Sequence, residues 1–360
     1  MDKELTATLC EYFNLGKPLF PRNFHDIEMI YPIMPTSVYE YCDFRVQTDR
    51  GSFLIKQMLG MPLTEACKKY FRAQEQCARE FQSRGILTVS SIKAGDEVTY
   101  LDNKGIAYLA YPYVHLYSLP RGKVNRKLAI KIADQNISIY RDIVPSDGYY
   151  YMGEDQKNYL ASPRNDDIGL HFSELRSVGK AFHEMTLKDC DPLFSLQDHY
   201  YQTIHLVNSN HLRYIHTEVA QENVLWTANG TPVIINWLNT DYANPARDFL
   251  YSALMWSGFH SELNLSVFME MLSYFERTHH SWHLYSDQFV QACFYDILID
   301  IMTKQVKRTY HHYVCDGPLD TRYLLTELEN TKRLVSKYFQ SIPFLTKVVD
   351  ESFQRKFMYV

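Results

Sequence analysis

No apolar run in the sequence approaches the roughly 20 residues that span a bilayer, so no membrane span is expected. The start, "MDKELTATLCEYFNLG", lacks the character of a signal peptide. It is too acidic and too broken by polar residues, and it predicts a short amphipathic helix ending at Gly16. Charge of one sign is also missing. With 37 Lys and Arg against 42 Asp and Glu, the net charge of −5 gives no global field favouring nucleic acid or an anionic membrane. The seven cysteines (Cys10, Cys42, Cys67, Cys77, Cys190, Cys293 and Cys315) are scattered, odd in number and without a C-x-x-C pair. That excludes a disulfide framework or structural zinc site as the expectation and leaves reduced thiols in a cytoplasmic setting. His279, His280 and His283, with His311 and His312, have no acid or cysteine at ligand spacing and read as exposed or capping residues. Internal repeats and low-complexity tracts are absent as well.

What is present is an ordinary folded composition, 46% hydrophobic and 22% charged, on a 360-residue chain that suits two lobes better than one core. Strands come early. "SVYEYCDFRVQTDRGSFLIKQ" (37–57) alternates apolar and polar residues on both sides of "TDRG", the pattern of an antiparallel hairpin. "FRAQEQCAREFQSRGI" (71–86) predicts a helix stopping at Gly85, and 97–114 a second hairpin around "DNKG". From 127 the pattern is mainly helical, interrupted by a polar, turn-rich stretch over 145–169 that reads as a surface loop. Val290, Phe294, Ile297 and Ile301 share one helical face. The expected organisation is an N-terminal helix over 1–24, a small nucleotide-binding lobe over 25–113 and a helical lobe over 114–360.

Two strand pairs around one helix, then a helical half, is the element order of a bilobed, protein-kinase-like α+β fold. Lys56, flanked by Phe53, Leu54 and Ile55 on the second strand, fits a lysine that contacts phosphate and pairs with a helix acid. Glu75 is the preferred partner and Glu80 the other candidate. "LAYPYV" follows the second hairpin, where a hinge containing Tyr111 and Tyr113 would offer backbone groups to an adenine.

The most informative stretch is "IHTEVAQENVLW" (215–226). In kinase-like phosphoryl transfer, an acid two residues after a histidine accepts the proton of the attacking hydroxyl. An asparagine five residues later and an acid on the next strand hold magnesium. His216, Glu218 and Asn223 keep that spacing, and the position thirteen beyond Asn223 is Asn236.

With "HTEVAQEN", "INW" and "NPARD" in order, the chain resembles the aminoglycoside phosphotransferase and choline kinase family, over roughly residues 30 to 310. That family's pattern reads H-G-D-x-x-x-x-N, then I-D-W or I-D-F, then D-P-A-x-D. The resemblance implies a bilobed kinase-like fold and ATP as cofactor. It also implies that Asp248 supports the catalytic loop from below. The departures fall on the chemistry: Thr217 replaces the glycine, Glu218 the catalytic aspartate and Asn236 the metal aspartate. The phosphate-covering turn would be "IMPTSVY" (33–39), which has no glycine.

Glu218 moves its carboxylate by about one methylene, and a misplacement of about 1 Å can cost on the order of a hundredfold in rate. Asn236 offers magnesium an amide oxygen without charge, where such sites use one or two carboxylates; Asp241 is the possible substitute. Three readings follow. The protein is pseudokinase-like, with impaired phosphotransfer, weak ATP binding and doubtful Mg2+, acting by binding a nucleotide, a small molecule or a protein partner. Alternatively it is an active ATP-dependent kinase of an amino sugar, choline-like alcohol or related metabolite. The third is other nucleotide chemistry, such as AMP transfer. Tyr251, Trp256, Phe259, Trp282 and Tyr285 could cage a cationic amine, but with 14% aromatics core packing is the expected role.

Overall fold

The computed structural model describes residues 3–20, 29–30, 40–59, 65–102, 104–140, 169, 172–173, 177, 190–208, 213–237, 240–279, 286–315 and 321–354. They fall into two compact units. The first comprises Met1–Leu119, Ser146–Tyr151 and Glu222–Thr240; the second comprises Pro120–Pro145, Met152–Gln221 and Asp241–Val360. The "IMPTSVY" turn, nearly all of 145–169, Trp282 and Tyr285 lie outside the described residues.

The first unit opens with α1 (Lys3–Tyr12) and continues through β1 (Met29–Ile30), β2 (Glu40–Thr48), β3 (Gly51–Leu59) and α2 (Glu65–Ser83) to β4 (Tyr100–Leu101) and β5 (Ala107–Pro112). The strands form one antiparallel sheet in the order β1-β2-β3-β5-β4. The register pairs Thr48 with Gly51, so Asp49 and Arg50 make a two-residue turn where "TDRG" predicted one. α1 ends earlier than expected, at Tyr12. The chain leaves it through left-handed conformations at Asn14 (φ 53°) and Gly16 (φ 97°). A Cβ at Gly16 would lie 2.3 Å from Oδ1 of Asp49, so the hairpin turn itself demands glycine there. α2 stops where Gly85 takes φ 89°. In the second hairpin the Asp102 carboxylate accepts the Lys104 and Ile106 N–H groups at 2.8 and 2.9 Å. Leu9, Phe13, Phe44, Val46, Ile55 and Tyr108 bury α1 against the sheet. A second cluster packs Phe71 of α2 against Met58 and Leu109.

A small sheet completes this unit: β6 (Tyr117–Ser118), β8 (Val224–Trp226) and β9 (Pro232–Ile234), in the order β6-β8-β9. In it β8 and β9 flank the "TANGT" turn, 227–231. The Ile234 N–H donates to Leu87 O, and Trp237 stacks on Phe81 at 4.9 Å, which ties the sheet to the end of α2.

The second unit is helical: α3 (Arg126–Tyr140), α4 (Asp191–Asn208), α5 (Pro245–Trp256), α6 (Leu265–His279), α7 (Asp287–Cys315) and α8 (Thr321–Gln354). β7 (Arg213–His216) pairs with β10 (Thr240–Ala243) beside them. α5 begins at the Asn244 cap with Pro245 in its first turn, and every one of its residues is buried. The predicted face of α7, Val290, Phe294, Ile297 and Ile301, is buried in full. So are Tyr251, Trp256 and Phe259, which makes them core. Cys10, Cys77, Cys190 and Cys293 are buried and in no disulfide. No helix among the described residues is long and apolar enough to cross a membrane.

Candidate functional site

Lys56 lies on β3, between Asp43 of β2 and Leu109 of β5 in register, and is buried. Glu75 is buried on α2, where its carboxylate accepts the Ser91 N–H at 2.9 Å and meets Arg79, one turn on, at 3.0 Å. Burial raises the Glu75 carboxyl above its usual range, against the lowering effect of Ser91, Arg79 and Lys93. Glu80, the other candidate, pairs with Arg84. Tyr111 is the last but one residue of β5. Tyr113 follows the strand, donates its N–H to Ser52 O at 3.1 Å and lies under the Arg45 guanidinium, 4.4 Å from its ring centre.

The same unit brings Asn223 and Asn236 together. Asn223 closes a single 3-10 turn before β8, and its carbonyl accepts the Ile235 N–H at 2.9 Å, which fixes Asn236 beside it. Asn236 is buried in the left-handed region at φ 62°, where asparagine is among the better-tolerated residues. Its Nδ2 donates to Oδ1 of Asn223 at 3.1 Å, and its own Oδ1 is buried without a hydrogen-bond partner. This pair does not fit a magnesium ion. Both groups are neutral amides, and the Asn223 oxygen is already engaged by an N–H. Among the described residues no cluster of three or more His, Cys, Asp or Glu side chains could hold a metal. Asp241 is placed on β10 by its backbone.

The other half of the motif belongs to the second unit. His216 ends β7, and its Nδ1 accepts the Glu218 N–H at 3.3 Å; both residues are buried. The loop is held from several sides. The Val219 carbonyl accepts Ser252 Oγ at 3.1 Å and Trp256 Nε1 at 2.9 Å, both from α5. The Gln221 amide accepts the Gly122 N–H at 2.7 Å and donates to Lys123 O at 2.8 Å. Asp248, also on α5, accepts a hydrogen bond from the Tyr140 hydroxyl of α3 at 2.6 Å. Burial pushes the Asp248 carboxyl up to about 7, against the lowering effects of Tyr140 and Arg247.

The Glu218 carboxylate is in contact with the ammonium of Lys304, on α7. Lys304 also bonds Asp300 at 2.9 Å, and the Arg247 guanidinium joins Asp300 at 3.3 Å to Asp296 at 2.5 Å. Burial alone would lower the Arg247 pKa, but Asp296 and Asp300 reverse this and raise it.

No family model matches the chain, and no curated protein matches it in sequence. Solved structures do. Spectinomycin phosphotransferase, solved with ADP and spectinomycin, superposes with a TM-score of 0.57 at 12% identity, over 97% of this chain and 99% of that one. Amicoumacin kinase hAmiN, solved with AMP-PNP, Ca2+ and Ami, gives 0.55 at 10% identity, over 94% of each chain. The chain has the kinase-like α+β fold of these phosphotransferases. The resemblance seen in the motifs therefore holds at the level of the fold.

Within that fold the residues missed by the motif are Ser252, Trp256 and Lys304. Only Lys304 left a signal. Asp296, Asp300 and Lys304 recur every four residues, which puts three charges on one face of a helix that also carries Phe294, Ile297 and Ile301. Charges in such a stripe read as solvent-facing until a partner is known.

Proposed function

We propose that this protein binds an adenine nucleotide without relying on magnesium and has lost most of the phosphotransfer its fold supports elsewhere. The observation that carries the reading is the Asn236–Asn223 amide pair, which stands where a charged metal ligand is required. Lys56 is the residue assigned to phosphate, with Glu75 or Glu80 as its partner, and the backbone around Tyr111 and Tyr113 is assigned to adenine. His216, Glu218 and Asn223 form the catalytic-like loop. The nucleotide assignment is supported by the ADP and AMP-PNP bound in the two phosphotransferases of like fold. The protein then acts through the bound state, with a small molecule or a protein as the responding partner.

Calorimetric titration of ATP, once in chelator and once in millimolar magnesium, tests this. Weak binding of similar strength in both is expected. Binding that strengthens steeply with magnesium would mean that another acid, Asp241 first, holds the metal. It would favour the second reading, an active kinase of a small hydroxylated metabolite. The retained loop scaffold and the antibiotic kinases of like fold keep that second reading in play. Assays of phosphate transfer to candidate alcohols decide it, and product mass spectrometry would reveal AMP transfer instead.

A further inference from the structure

Glu218 is 1% exposed, whereas the Lys304 side chain retains 20%. They end a buried chain of charge that runs Glu218, Lys304, Asp300, Arg247, Asp296. A carboxylate buried this deeply is strongly unfavourable unless a cation neutralises it. Lys304 is in contact with Glu218, and Asp300 keeps Arg247 as a second partner.

We propose that Lys304 is a positioning residue that latches Glu218, holding the acid at the base position in an ion pair and withholding it from proton transfer. An ammonium in contact stabilises the ionised carboxylate and makes it a weaker proton acceptor. The latch adds to the loss at Asn236 and is independent of it, since one acts on the base and the other on the metal position. It rests on the reading of Glu218 as the base position. The titratable or charged groups described in contact with this network are His216 in the loop, Arg247 on α5, and Asp296 and Asp300 on α7, with Asp248 and its partner Tyr140 beside Arg247.

The test compares urea unfolding of the full-length wild type, Lys304→Met, Lys304→Arg, Glu218→Gln and the Lys304→Met/Glu218→Gln double variant from pH 5 to 8. In Lys304→Met the buried Glu218 loses its cation, so its folded form holds a proton to higher pH than its unfolded form. Stability is then lost as pH rises. At pH 8 the unfolding constant should exceed the wild type's by roughly 10² to 10³-fold, the scale for breaking a buried pair, and the excess should shrink toward pH 5. In the Glu218→Gln background the same substitution should have a small effect that is flat with pH, and Lys304→Arg should keep the wild-type profile. A deficit that does not depend on pH, or that survives Glu218→Gln, overturns the latch. Should Lys304→Met fail to fold, acetylation of Lys304 in native protein gives the second readout. Its rate, read by peptide mass spectrometry, should rise about tenfold in Glu218→Gln as more free amine appears, and an unchanged rate overturns the proposal. None of these measurements uses nucleotide. Failure of ATP to bind would therefore count against the proposed function and leave the latch standing.

Discussion

The two halves of the motif depart from the kinase-like pattern in opposite ways. In the first unit the position beside Asn223 has been emptied of charge: two amides bond each other, and one oxygen is left buried without a donor. In the second unit charge is plentiful but committed. Glu218 remains an acid, yet its neighbour is an ammonium anchored through Asp300 and Arg247. A neutral pair has little to offer a dication. A paired acid has little to offer a proton. The fold survives both because neither change touches the bonds that hang the loop, from Ser252 and Trp256 to Val219 and from Gln221 to Gly122 and Lys123.

The comparison can be broken most forcefully at Arg247, which links the charged half to the core. Arg247→Met leaves Asp296 without its described partner and takes the guanidinium from Asp300. Loss of one partner from a buried pair costs about 3–5 kcal/mol, so urea unfolding should show a fall on that scale. A change below about 1 kcal/mol, the scale of an exposed pair, would mean that the network is solvated and that Glu218 is not tied to the core through it.

A gentler probe is Asp248, which shares α5 with Arg247 but carries its proton differently. Its carboxyl is raised to about 7 from the ordinary 3.8, so the folded protein binds more protons than the unfolded chain between those values. Its contribution to stability is complete below about pH 4 and is lost as pH rises through about 7. Asp248→Asn keeps an oxygen for the Tyr140 hydroxyl and removes the titration. The wild type should lose up to about 4 kcal/mol relative to the variant from pH 4 to 8, by the conversion of about 1.4 kcal/mol per pKa unit. Parallel pH profiles for the two proteins would show that Asp248 is ionised throughout.

Much of this architecture was legible in the sequence because the signals are local. The "TDRG" hairpin follows from alternation on both sides of a two-residue turn, the end of α2 from Gly85, and the buried face of α7 from residues at helical spacing. The first helix ran shorter than read, because the exit at Asn14 and Gly16 is set by the hairpin turn packed over it. The site was legible only as far as spacing reaches. His216, Glu218 and Asn223 announce a loop, but Lys304 lies on a distant helix whose charges alternate with core residues. Arg79 likewise meets Glu75 through a one-turn spacing that lies outside the lysine–glutamate motif. Of the aromatics offered as a cage, Tyr251, Trp256 and Phe259 are packing, as composition alone favoured.

The smallest expected effect sharpens the comparison most, because it asks each half to recover what it gave up. Asn236→Asp returns a negative charge beside Asn223, and Glu218→Asp shortens the acid that now reaches Lys304. Aspartate tolerates the left-handed conformation at position 236 about as well as asparagine does, so the first change should fold. The second leaves the hydrogen bonds to Val219 and Gln221 untouched, so the loop should keep its scaffold. The double variant should bind ATP about tenfold more tightly in magnesium than in chelator, equal to ~1.4 kcal/mol. It should also hydrolyse ATP slowly, with water replacing the unknown acceptor. Wild type should show neither response. Each single variant separates the halves: Asn236→Asp alone should gain magnesium dependence without turnover, because Lys304 still holds Glu218. Turnover by the wild type that falls in the double variant would reverse the interpretation, since Glu218 and Asn236 would then be the working residues of a different chemistry.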